Sequence, residues 1–444
     1  MDEILNIKKW YLENFETFQN NLNGGSRQPI NNLRKDAILK FSELNFPTTK
    51  DEEWKYTNIS PLLKHHFKPA SANYKVEKTK VDQFRFNDFE AYLAVFINGT
   101  FAPDLSELEN LPGGVVISSL DNAINSSHPA VQKYFSKYAD YSRHIFTSLN
   151  TAFTKDGSFI YIPDREIIEK PIHILFISLS DGEKILSQPR NLFSIGKNSQ
   201  VKILEHFVSL DEGVYFTNSV SEISAGENAI ISHVKLQEES KNSFHIHRIE
   251  VELERSSNFS SHSISLGGSI SRNDLNVRFN GEGGESTLNG LYLTEREQLY
   301  DTHTMIDHAK PYCTSHEHYK GILDNRSRGV FNGKVMVRKD AQKTNAFQEN
   351  NNIILSAEAL VNTKPQLEIF ADDVKCTHGA TIGQLDMDSM FYLKSRGIGQ
   401  DTARAILIHA FASDVIKSIP LEPVRNYAES ILTEKFNKQF RNEH

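Results

Sequence analysis

The sequence predicts a mainly β chain: a solenoid of short stacked strands with helical regions at both ends. Three observations predict it. From about residue 170, β-branched and aromatic runs such as Ile172, Ile174 and Phe176 alternate with turns for two hundred residues, with no amphipathic helix between them. The turns recur: Gly196-Lys197-Asn198, Gly226-Glu227-Asn228 and Ser256-Ser257-Asn258 set asparagines 30 residues apart, twice over, before the Gly281-Glu282-Gly283-Gly284 turn. Further on, Asp340-Ala341, Ala357-Glu358 and Val374 follow one another at a tighter spacing of 17. A strand–turn unit repeated without helices lets each coil bury its apolar face on the next. A β-sandwich, which also has short strands at regular spacing, is the rival architecture.

Residues 1–90 read as a helical domain. Ile4, Ile7, Tyr11, Phe15, Phe18 and Leu22 form one stripe at spacings of three and four, stopped by Asn23-Gly24-Gly25. A second helix is expected over 32–44, closed by Pro47, and Asp51 to Thr57 makes an aromatic joint in which Trp54 and Tyr56 pack. Residues 91–165 read as a mixed α/β region, with the strands 94–97, 115–117 and 159–162 and a helix near 129–138. Residues 166–385 are the solenoid core. Residues 386–444 return to helix: a short one carrying Met390, Phe391, Leu393 and Lys394 that Gly397 ends, then one capped by Asp401 and running through Phe411. The last spans 422–441, with Val424, Tyr427, Ile431 and Phe440 on one side. Helices of this kind would cover the open edge of the solenoid, and would also offer a docking surface.

Composition excludes several classes. The 444 residues are 39% hydrophobic and 24% charged, as in an ordinary globular protein. A formal charge of -8 without a Lys/Arg run argues against nucleic-acid binding. Two cysteines make no disulfide framework and fit a reducing compartment. No apolar stretch approaches the ~20 residues of a membrane span, and the acidic start Met1-Asp2-Glu3 leads into no signal-like run, so a cytoplasmic location is expected.

The chemistry concentrates in 370–384. If that segment is extended, Cys376 and His378 project from one face together with Val374, because side chains two apart share a face. Thiolate and imidazole are the soft and borderline donors that zinc, iron or an iron–sulfur cluster takes. The alternative is a buried small hydrophobe beside a satisfied polar residue. A second cluster holds Asp301, His303, Asp307, His308, Cys313 and His316-Glu317-His318. It reads either as a metal site or as structural histidines along a strand, since its spacings match no recognised zinc pattern. The sequence has no Gly-x-x-x-x-Gly-Lys-Ser/Thr, no Gly-x-Ser-x-Gly and no dinucleotide fingerprint between strand and helix. Carboxylate pairs such as Asp372-Asp373 leave a polysaccharide-cleaving β-helix open.

The run Asp372-Asp373-Val374-Lys375-Cys376-Thr377-His378-Gly379-Ala380-Thr381-Ile382-Gly383, followed by Phe391-Tyr392-Leu393-Lys394-Ser395-Arg396-Gly397-Ile398, closely resembles the SufB/SufD family of the SUF iron–sulfur cluster assembly system, on its SufD side. Leu266 to Leu275, Tyr319 to Leu323, Gly329 to Lys334, Ala341 to Thr344 and the joint Glu53-Trp54-Lys55-Tyr56 support it. The resemblance implies a right-handed parallel β-helix with helical flanks. It also implies a non-enzymatic subunit that pairs with the paralogue SufB and the ATPase SufC to build and transfer nascent clusters. Cys376 and His378 would hold iron or a transient cluster shared with SufB, and none tightly alone. Phe391, Tyr392, Arg396 and Phe411 would meet the ATPase, and a homodimer can form when the chain is isolated. A SufB-type scaffold and an independent metal-binding β-helix protein are the alternatives.

Overall fold

Each coil supplies one strand to each of two sheets, and successive coils pair in parallel. The computed structural model describes residues 2–20, 22, 28–70 and 74–439. One sheet runs inward from Leu360–Ile369 through Arg328–Val337, Leu299–His308, Ile270–Phe279, Phe244–Leu253 and Phe216–Ala225 to Arg190–Ile195 and Ser158–Ile162. The other runs from Lys375–Gly383 through Asn345–Ile354, Thr314–Leu323, Glu285–Thr294, Asn258–Ser265 and Ile230–Glu238 to Gln200–Ser209, Ile172–Ser178 and Tyr92–Ile97. About eight turns stack in this way. Parallel pairing from coil to coil is solenoid geometry; a sandwich would pair neighbours antiparallel. Strands from residues 91–165 therefore join both sheets, Tyr92–Ile97 beside Ile172–Ser178 and Ser158–Ile162 beside Arg190–Ile195.

The recurring turns have a common cause. Arg165, Asn198, Asn228, Ser256, Gly283, Tyr312 and Lys343 form a column along one corner, all left-handed with φ between 53° and 71°. Each donates its backbone N–H to a carbonyl of the next coil, as Asn198 does to Glu227 (2.9 Å), Asn228 to Arg255 (2.9 Å) and Ser256 to Glu282 (2.9 Å). Asparagine and glycine tolerate that conformation best, which gave the sequence its rhythm. Glycine precedes the corner where coils crowd: a Cβ on Gly196 would stand 2.5 Å from Asp164 N, and one on Gly281 2.1 Å from Arg255 N. The corner interval varies from 27 residues (Ser256 to Gly283) to 33 (Arg165 to Asn198). Thus Asn258 is not the third corner residue; it opens a strand opposite Ile230, and Ser256 takes the corner. The spacing of 17 is half a coil, since Ala341 and Val374 lie by this corner and Ala357 in the opposite turn.

Inward residues alternate along the strands into one apolar core that includes Ile174, Phe193, Ile203, Phe207, Ile223 and Phe331. Helices dress the outer faces. Helices α1 (Asp2–Asn20) and α2 (Gln28–Glu43) are followed by the short helices α3 (Ser60–Leu63), α4 (Lys78–Asp82), α5 (Leu120–Asn125) and α6 (Pro129–Tyr134), then by α7 (Ile145–Ala152). The expected stripe is buried at Ile7, Tyr11 and Phe15, which pack with α2, α7 and the sheet residues Phe216, Phe244 and Ile270. The side chain of Ile4, the stop at Asn23-Gly24-Gly25, and Phe440 lie outside the described residues. Helix α2 begins four residues earlier than the sequence suggested. Helix α6 ends at Tyr134 rather than near 138, because the buried Glu222 carboxylate accepts the N–H groups of Ser136, Tyr138 and Ala139.

At the other end come α8 (Met387–Ser395), α9 (Gln400–Lys417) and α10 (Glu422–Gln439). Asp386 caps α8 by accepting from the N–H groups of Asp388 and Ser389, and Gly397 at φ +83° ends it. Gly399, not Asp401, is the cap of α9; Asp401 lies in its first turn, where its charge suits the helix dipole. The buried side of α10 is Val424, Ala428, Leu432 and Phe436, with Tyr427 and Ile431 at its margin. These helices do not cover the open edge, contrary to expectation. Ile408, Ala412 and Val415 pack against Val234, Leu291 and Ile322 on the outer face of the second sheet, and leave the last coil bare. No described helix is long and apolar enough to cross a membrane.

Candidate functional site at the open end of the solenoid

The last strand of each sheet has one neighbour. Among the described residues, Lys375–Gly383 pairs only with Asn345–Ile354, and Leu360–Ile369 only with Arg328–Val337. Both therefore present a row of unpaired backbone donors and acceptors, which serves as a template for another strand. Apolar side chains are left uncovered with them: Leu360, Ile369, Phe370 and Ile382 are all exposed.

Strand alternation decides which side chains line this end. In Asn345–Ile354, Ala346, Gln348, Asn350 and Asn352 are buried and point inward, whereas Asn345 and Phe347 are exposed. Register then places Cys376 over Ala346, His378 over Gln348 and Ile382 over Asn352. Cys376 and His378 share the inward face as expected, in a coil that no further coil covers. Cys376 is half-buried against Val335, Val337, Ala341, Ala346 and Ala371, with Val374 beside it. That burial raises the thiol's pKa above its ordinary value. His378 is exposed. Asp372 and Asp373 are both exposed, and Asp373 pairs with Lys343 at the corner rather than facing a cleft.

The residues assigned to ATPase contact separate. Phe391 is 73% exposed and Tyr392 56%, and the Arg396 guanidinium lies 5.2 Å from the Tyr392 ring and 3.2 Å from its hydroxyl. They form one surface patch on α8. Phe411 faces the other way, half-buried in the seam between α9 and the solenoid, its ring 4.8 Å from Lys320 Nζ. Lys320 also donates to the Phe411 carbonyl (2.9 Å) and to Asp414 (2.7 Å), which pins α9 to its sheet.

The His303–His318 cluster does not converge. His303 faces outward to the aromatic joint, 2.9 Å from Asp301 and 3.3 Å from Glu53. Burial opposes its charge, but Asp301 and Glu53 outweigh that and raise its pKa. His308 faces inward, bonds Ser315 at 2.9 Å, and is pushed down to about 4 by burial. His318 lies on the outer face near Glu349 and Asp414, His316 is exposed, and Cys313 is in the core. Among the described residues, no three His, Cys, Asp or Glu side chains gather to hold a metal ion. Trp54 packs on Phe146, and the Arg272 guanidinium stands 3.8 Å over its ring, so this part of the joint is packing.

Sequence reading missed the tier beneath the mouth. Gln348 lies fully buried under His378 and donates its amide to Glu317, whose carboxyl burial pushes up to about 7. The available signal was the polar alternation Gln348, Asn350, Asn352 on a strand otherwise placed for the core.

Fold and site together define a solenoid scaffold, with an uncovered end that carries one thiol and one imidazole. Two family models divide the chain: "SufBD protein N-terminal region" over residues 5–174 and "SUF system FeS cluster assembly, SufBD core domain" over 177–411. The chain belongs to the SufBD family of the SUF iron–sulfur cluster assembly system. It is 35% identical over 398 residues to an iron-sulfur cluster assembly SufBD family protein of Synechocystis, covering 88% of this chain and 87% of that one. It is 31% identical over 398 residues to the iron-sulfur cluster assembly protein SufD of Escherichia coli (89% and 90% covered). Identity to the iron-sulfur cluster assembly protein SufD of Bacillus subtilis is 25% over 420 residues (91% and 94%).

Proposed function

We propose that this chain is the SufD-type, non-ATPase subunit of the assembly machine. It stacks its open end on the SufB paralogue, docks the SufC ATPase on the exposed face of α8, and contributes Cys376 and His378 to iron or a nascent cluster shared with SufB. The observation that carries this reading is the placement of both donors on the inward face of an unpaired last coil. The cluster is cargo here. Two donors from one chain are an incomplete set, so a partner must complete it.

The uncovered backbone rows and the apolar residues Leu360, Ile369 and Ile382 suit pairing with a second solenoid of the same cross-section, or with another copy of this chain in isolation. ATP binding would close two SufC subunits, and the pull on α8 and α9 would shift the last coils to which they are anchored. Lys320 supports such a linkage, since it ties α9 to the strand Thr314–Leu323.

The partner assignment is tested by Ile382→Lys, a charge on the uncovered inner face, and Phe391→Ala on α8. Ile382→Lys should abolish co-purification with SufB and spare SufC, and Phe391→Ala should do the reverse. Association with SufB that is indifferent to Ile382→Lys would contradict docking at this end.

A further inference from the structure

Below the mouth, the inner tier is ordered by one constraint. Gln348 is fully buried, and its Nε2 donates to a Glu317 carboxyl oxygen one coil further in. The Nε2 donates to that carboxyl oxygen, so the NH2 of the amide faces Glu317 and its carbonyl oxygen faces away. That oxygen, Gln348 Oε1, is buried without a hydrogen-bond partner among the described residues. Buried polar atoms left in this state call for an explanation. The next residue outward in the same column is His378, one strand spacing of about 4.8 Å away. The opposite sheet keeps the seat open. A Cβ on Gly333 would stand 2.3 Å from Gln348 Nε2 and 2.8 Å from its Cδ.

We propose that Gln348 and Glu317 are positioning residues for His378: Gln348 Oε1 accepts the N–H of one imidazole nitrogen, which leaves the other nitrogen as the lone-pair donor to the cargo. The proposal rests on the reading of His378 as a donor. Imidazole ligands generally need such an outer acceptor to fix their tautomer, and losing it typically weakens metal retention by about 10–100-fold. Glu317 acts at one remove by holding the amide in its orientation.

The test has two arms. In the 15N-histidine-labelled chain, with His378 assigned by its loss in His378→Ala, wild type should show a single neutral tautomer and Gln348→Met a mixture of the two. Gln348→Asn keeps the inner tier polar but withdraws the amide by one methylene, and should give the same mixture if methionine disturbs the stack. A tautomer distribution at His378 that these substitutions leave unchanged overturns the inference. In the complex, cluster loss to a chelator should be about 10-fold faster for Gln348→Met than for wild type. If His378→Ala complexes lose cluster no faster than wild type, the donor reading itself fails. If His378→Ala loses cluster quickly and Gln348→Met does not, the donor reading stands and the positioning role falls.

Discussion

Gly333→Ala joins the fold to the site in one methyl group. The added Cβ would stand 2.3 Å from Gln348 Nε2, 2.7 Å from Phe331 Cζ and 2.8 Å from Gln348 Cδ. Phe331 and Gln348 are both fully buried, so neither can swing into solvent. Overpacking of this kind costs about 1–3 kcal/mol. Turning the amide away also leaves the Glu317 carboxyl without its donor, at about 1–3 kcal/mol. Restricting the unfolded chain at a former glycine returns about 0.4–1 kcal/mol. The net expectation is a loss of about 1–5 kcal/mol. Urea unfolding followed by the fluorescence of Trp10 and Trp54 measures it. Gly379→Ala is the control: it lies in the Cys-x-His segment, yet a Cβ there meets nothing within 4 Å, so its effect should stay within about 0.5 kcal/mol. Equal midpoints for the two variants would refute the reasoning.

Arg190→Met breaks a fully buried ion pair (2.6 Å to Glu222) and should cost about 3–5 kcal/mol, read as a lowered thermal midpoint; an unchanged midpoint would contradict it. Glu317 gives a pH signature. Its folded pKa, raised by burial to about 7, exceeds the unfolded value of about 4.3, so its contribution is greatest below that range and fades as pH rises to 7. Glu317→Gln should therefore flatten the stability profile between about pH 4.5 and 7, and profiles of equal slope would exclude this. Phe391→Ala removes a side chain that is 73% exposed; stability should move by less than about 0.5 kcal/mol while binding of SufC weakens about tenfold or more, as titration calorimetry would show.

How much the sequence disclosed follows from what is local. The left-handed corners announce themselves at Asn198, Asn228 and Gly283, whose residue types suit that backbone conformation, and not at Arg165, Ser256, Tyr312 or Lys343. Strand alternation placed Cys376 and His378 on one face. Alternation also separates His303 from His308, which lie an odd number of positions apart in one strand, so the apparent histidine cluster was divisible from sequence. Coil length was not legible: corner spacing depends on how many residues each turn spends, so Ser256 rather than Asn258 holds the register. Nor was the aim of Phe411, which depends on where α9 meets its sheet, or the bond from Gln348 to Glu317, whose partners lie 31 residues apart on neighbouring coils.

The central claim is that the open end is a shared cluster site and not merely a stacking surface. The most direct measurement is cluster content, by iron and sulfide analysis, of complexes assembled with SufB and SufC from wild type, Cys376→Ala and His378→Ala. The account predicts equal recovery of all three complexes and loss of cluster from the two variants. Undiminished cluster in both variants would contradict it and leave this chain a structural arm alone.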